Sequence, residues 1–66
     1  MKKEYPSHTI LRLTKVIEKT GLSRASIYAY IGKDAFPAPI RLGDRSVGWV
    51  SSEIDQWIES RIASRG

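Results

Sequence analysis

Residues 12–49 read RLTKVIEKTGLSRASIYAYIGKDAFPAPIRLGDRSVGW, and the fold is decided inside this stretch. At its start, Val16 and Ile17 are inward positions while Lys15, Glu18 and Lys19 face water, which predicts a short amphipathic helix capped by Thr14. Gly21 can take the left-handed conformation that ends it, so Thr20-Gly21-Leu22 becomes a turn between two helices. Ser23 then caps the second helix by accepting from the amides of Ala25 or Ser26, and Leu22 packs on Ile27 as a hydrophobic staple. With Ile27 inward and about 100° per residue, Ile31, Tyr30 and Arg24 fall on the inner side. Ala25, Ser26, Tyr28 and Ala29 fall on the outer side, a small and polar face. Such a face lets a helix approach another surface closely, where Glu and Lys would hold it off.

Gly32 ends this second helix, and Lys33-Asp34-Ala35 leads to Phe36, an anchor that plugs the core as the chain reverses. Pro37 and Pro39 forbid helix and favour an extended path. Ile40-Arg41-Leu42 and Ser46-Val47-Gly48-Trp49 follow as two short strands around Gly43-Asp44, a hairpin whose tip carries Arg45 near Arg41. The order is a helix-turn-helix followed by a small β-wing: a mainly α domain with one hairpin.

Working outward, Ile10, Leu11 and Leu13 lead into the first helix, and residues 1–9 lack an apolar period, as expected of a flexible arm. On the other side, Ser51 or Ser52 is expected to cap a last helix, with Asp55 completing a capping box with Ser52. Its inward stripe is Ile54, Trp57, Ile58 and Ile62, leaving residues 63–66 as a tail. Residues 10–62 are thus one domain. Tyr30, Phe36, Trp49 and Trp57 belong to its core, each on an inward stripe or a chain reversal, which argues against an aromatic platform for single strands.

A chain of 66 residues is near the size at which one hydrophobic core becomes hard to sustain. With no cysteine, disulfides and thiolate metal sites are excluded, and the lone His8 cannot build a zinc site. No cofactor is implied. No apolar run approaches the roughly 20 residues of a membrane span, and no signal peptide follows Lys2 and Lys3, so a cytoplasmic location is expected. The formal charge is +4, and its distribution is uneven. Residues 12–49 carry seven basic side chains (Arg12, Lys15, Lys19, Arg24, Lys33, Arg41, Arg45) against Glu18, Asp34 and Asp44, a net +4. Residues 50–66 come to −1, with Glu53, Asp55 and Glu59 against Arg61 and Arg65. The net charge therefore resides in the helix-turn-helix and wing, as a nucleic-acid reading unit requires.

The segments RLTKVIEKTGLSRASIYAYI, FPAPIRLGDRSVGW and SEIDQWI, in this order and at this spacing, resemble the AlpA family of prophage regulators, relatives of the MerR-type winged helix and of phage excisionases. The resemblance covers about residues 10–62. It implies a DNA-binding transcriptional regulator linked to prophage integration and excision, with double-stranded DNA as partner and integrase or RNA polymerase as further candidates. Carried over residue by residue, it makes Ser23, Arg24, Ser26 and Tyr28 contact positions of the recognition helix and sets Arg45 against phosphates. Many relatives have a basic residue directly after the tyrosine; Ala29 stands here, so the preferred DNA sequence should differ. MerR proteins dimerise through a long helix beyond the DNA-binding unit, and none is read in this chain.

On the residues alone, Arg24 is not placed to satisfy the helix macrodipole, because a cation at a helix N-terminus is mildly unfavourable; phosphate and guanine remain equal candidates. Ser26 suits base or phosphate, the Tyr28 hydroxyl can reach a phosphate, and Arg41 and Arg45 suit the backbone beside the wing. Ala25 completes the set as the small residue between them. Catalysis is not expected: Glu53 and Asp55 lack a neighbouring His or Lys, and no nucleophile motif or phosphate-binding glycine loop is present. Two alternatives stand beside a transcriptional regulator: an excisionase-like architectural factor at attachment sites, and an antitoxin-like protein-interaction module. With no heptad after Trp57, the free chain is expected to be monomeric and to gain specificity from several copies on repeated sites.

Overall fold

A computed structural model of the chain describes residues 9–65; of the expected N-terminal arm, only Thr9 falls among them. The elements in chain order are β1 (Ile10–Leu11), α1 (Leu13–Thr20), α2 (Arg24–Gly32), β2 (Ile40–Arg41), β3 (Val47–Val50) and α3 (Ser51–Ser64). The three strands form one antiparallel sheet in the order β1-β3-β2. Mainly helical with a small sheet, this is the winged helix-turn-helix expected from the sequence, with an added strand. No helix of the described residues is long and apolar enough to cross a membrane.

Ile10 and Leu11, expected only as the approach to α1, form a strand that pairs with β3, Ile10 opposite Val50 and Leu11 opposite Trp49. Two residues have no periodicity of their own, and pairing with Trp49 and Val50, far along the chain, makes them a strand. Arg12, not Thr14, is consequently the N-cap of α1, extended at φ −83° and ψ 169° with no side-chain cap bond. The other end is as expected: Gly21 sits at φ 76°, and its N–H donates to the Ile17 carbonyl at 2.8 Å.

The start of α3 also differs. Val50 is its N-cap and Ser51 is already helical, without any side-chain cap bond, so the expected capping by Ser51 or Ser52 and the box with Asp55 are not formed. The cause is the sheet: β3 runs directly into the helix, and Ser51 N–H donates to the Thr9 carbonyl at 2.8 Å, extending the β1–β3 pairing. Asp55 instead accepts from Lys19 Nζ at 2.7 Å, joining α1 to α3. As a partly exposed ion pair this adds at most about 1 kcal/mol. Helix α3 continues through Ser64, beyond Ile62, whose 53% exposure removes it from the inward stripe.

Val16, Ile27, Phe36, Trp49 and Ile54 form the buried core, one from each helix plus the loop and β3. Leu22 packs against this cluster, and Tyr30, Trp57 and Ile58 are half-buried around it. The Phe36-Pro37-Ala38-Pro39 loop is fixed from two sides. Trp49 Nε1–H donates to the Pro37 carbonyl at 3.0 Å, Trp57 Nε1–H donates to the Ala35 carbonyl at 2.8 Å, and the Phe36 and Trp57 rings meet edge to face at 4.8 Å. Prolines cannot donate to a ladder, so this loop holds its place through its carbonyls instead.

The hairpin register pairs Ile40 with Gly48 and Arg41 with Val47. Leu42 and Ser46 close it just outside the strands, Leu42 N–H donating to the Ser46 carbonyl at 2.7 Å, and Gly43–Arg45 form the tip. Gly48 is where the three strands are tightest: a Cβ there would collide with Ile10 Cγ2 and lie 3.2 Å from the Leu11 carbonyl oxygen and 3.0 Å from Leu42 Cδ1. Backbone and a β-branched side chain cannot both yield. Gly48→Ala is therefore expected to destabilise the domain by about 1–2 kcal/mol through overpacking. Thermal or urea unfolding measures this, and a variant as stable as the parent would show that β1 is not held against β3 as described.

Candidate nucleic-acid interface

The turn before α2 is built from hydroxyls. Thr20 Oγ1 donates to the Val16 carbonyl at 2.8 Å and accepts from Leu22 N–H at 3.2 Å, while Gly21 supplies the left-handed residue. Ser23 is the N-cap of α2: its Oγ accepts from Ser26 N–H at 3.1 Å and donates to Ser26 Oγ at 3.1 Å. The expected cap is thus present, made to Ser26 rather than Ala25. The Ser23 oxygen is occupied within the chain, whereas the Ser26 hydroxyl proton stays available to an outside acceptor. The first turn of α2 contains no acidic residue, so its partial positive charge is not neutralised by the helix itself.

On the outer face, Ala25 and Ala29 are exposed and Ser26 is half-buried. Arg24 is exposed rather than turned inward as its helical angle suggests; its Cζ lies 5.8 Å from the centroid of the Tyr28 ring, one turn along. A long side chain in the first turn can leave the core for solvent, and an aromatic face nearby gives it somewhere to rest. Tyr28, 40% exposed, also meets Trp49 edge to face at 6.3 Å and 68°.

That contact relates the helix to the wing. Val47 and Trp49 lie two apart on β3 and share one face of the sheet, and the cross-strand partner of Val47 is Arg41. Arg41 therefore leaves the sheet on the side from which Trp49 reaches Tyr28. It is exposed, as is Arg45 at the tip. The structure thus brings Arg24 and Tyr28 together on one side of α2, leaves Ser26 beside Ser23 on the other flank of the helix, and places Arg41 on the face of the sheet that carries Trp49. Arg45 sits beyond it on the tip. Among the described residues, the ion pairs are Lys15–Glu18 at 3.2 Å and Lys19–Asp55 at 2.7 Å. Neither involves the three arginines of the helix and wing.

Sequence reading misses Trp49 as a strut beneath this surface. It is expected in the core and is fully buried there, but the register that aims it at Tyr28 depends on pairing that no local pattern reveals.

Residues 9–62 match the family described as Prophage CP4-57 regulatory protein (AlpA). The chain is similar to the DNA-binding transcriptional activator AlpA of Escherichia coli (strain K12), with 45% identity over 58 residues, covering 79% of this chain and 83% of that protein. It is also similar to Uncharacterized protein ORF88 of Enterobacteria phage P4, 44% identical over 55 residues, covering 83% of this chain and 62% of the phage protein.

Proposed function

We propose that this chain, which belongs to the AlpA family of prophage regulatory proteins, binds double-stranded DNA and regulates transcription. Helix α2 enters the major groove with Ser23, Arg24, Ala25, Ser26 and Tyr28 toward it, and the wing lies along the backbone with Arg41 and Arg45 on phosphates. The observation that supports this reading is the 6.3 Å edge-to-face contact between Tyr28 of α2 and Trp49 of β3, which ties the helix to the strand that carries the wing. The relative from Escherichia coli, named a DNA-binding transcriptional activator, supports the same role. Prophage-borne genes for integration or excision are the natural targets, with RNA polymerase or integrase as the protein partner. A cytoplasmic chain, on the nucleoid when bound, follows from that role.

One domain of this size covers little DNA, so specificity is expected to grow with several monomers on neighbouring sites. The test is a titration of one-site and two-site duplexes over a range of salt concentrations, with sedimentation of the free chain. Phosphate contacts by Arg41 and Arg45 alone give a slope of about −2 in log K against log salt, since each contact contributes about −0.9. A monomer that prefers repeated sites about one helical turn apart fits the proposal. Salt-independent association, or tight capture of a protein with no affinity for duplex DNA, would replace it with an interaction module.

A further inference from the structure

We infer that Tyr28 is the positioning residue of this interface, and that it acts through its ring, which holds the Arg24 guanidinium in place and braces α2 on the wing. The inference rests on the DNA-binding reading above and assigns the internal order of that site. Arg24 and Tyr28 are four residues apart, on one face of the helix. The 5.8 Å from Arg24 Cζ to the ring centroid is within the reach of a cation–π contact. Arg24 needs such a partner, because it begins α2, where the macrodipole repels a cation.

The same ring meets Trp49, which is fully buried and anchored by its indole N–H on the Pro37 carbonyl at 3.0 Å. Tyr28 is thereby restrained by both contacts while 40% of it stays exposed. Among the described residues, its hydroxyl makes no hydrogen bond. A guanidinium already laid on a ring has fewer rotamers to give up on binding, so the Tyr28 ring lowers the ordering cost of Arg24 whatever its hydroxyl meets.

The experiment combines spectroscopy of the free protein with affinities for the best duplex site. In the free chain the Arg24 side-chain protons should be shifted upfield by the ring, in Tyr28→Phe as in the parent, and should revert to unshifted positions in Tyr28→Leu. On DNA, Tyr28→Phe, which keeps the ring, should weaken binding clearly less than Tyr28→Leu, which should weaken it roughly three- to tenfold, the scale of one ordered side chain. In an Arg24→Ala background, Tyr28→Leu should then add little, because the two act as one unit. If Tyr28→Phe weakens binding as much as Tyr28→Leu, the hydroxyl is the contact and the inference is overturned; additive effects, or no ring shift at Arg24, overturn it equally. Melting curves guard against unfolding, and should Tyr28→Leu not fold, the phenylalanine variant and the ring shift of the parent still decide. A parent chain with no affinity for duplex DNA removes the functional reading itself, a failure distinct from these because the ring shift would persist.

Discussion

Trp49→Ala is expected to leave the chain largely unfolded at ambient temperature. The indole is fully buried at the centre of the core, and its N–H holds the Pro37 carbonyl at 3.0 Å. Truncating a buried Trp costs about 3–5 kcal/mol, and a domain of this length commonly has no more than about 3–5 kcal/mol in total. Four separate elements lose support at once: β3 itself, the proline loop, Tyr28 on α2 and β1, where Leu11 is the cross-strand partner of Trp49. Trp57→Ala should cost less, because that ring is only half-buried, although it gives up the bond to the Ala35 carbonyl and the edge-to-face packing with Phe36. Circular dichroism with urea titration ranks the two. A Trp49→Ala variant melting cooperatively near the parent, or one less affected than Trp57→Ala, would show that the core is centred elsewhere.

The contrast between these tryptophans reflects what is legible in the sequence. Local signals that agree with one another suffice for the α1–α2 turn: Gly21 for the left-handed residue and Ser23 for the cap both act within a few residues. Phe36 as anchor is readable because two prolines force the chain to reverse there. The strand at Ile10–Leu11 is not, because its partner lies at residues 49–50 and two residues carry no period. The same long-range pairing makes Ser51 a continuation of the sheet and displaces the expected capping box at Asp55. At the candidate interface, residue types on α2 and at the wing tip can be chosen from sequence. The arrangement that sets Tyr28 between Arg24 and Trp49 cannot, since it depends on register and on the direction of a flexible arginine.

Arg24→Ala and Ser26→Ala should impair DNA binding differently from Arg45→Ala, provided α2 reads bases while the wing grips phosphate. Arg24 is exposed at the start of α2, and Ser26 keeps a hydroxyl proton free because the cap bond uses the Ser23 oxygen. Removing a base-edge hydrogen bond at either position costs roughly 1–3 kcal/mol on the preferred site and relaxes discrimination at that base pair, with nonspecific affinity less affected. Arg45 lies at the tip, past the last paired residues, and its proposed contact is with backbone phosphate and not the floor of the groove. Arg45→Ala should therefore weaken all sequences about equally and reduce the salt slope by about one. Binding to a randomised duplex library at two salt concentrations separates the two kinds of effect, since only base-reading residues change the recovered sequence preference. Equal, sequence-independent weakening in all three variants would leave α2 as a backbone clamp, with any preference arising from the shape and stiffness of the DNA.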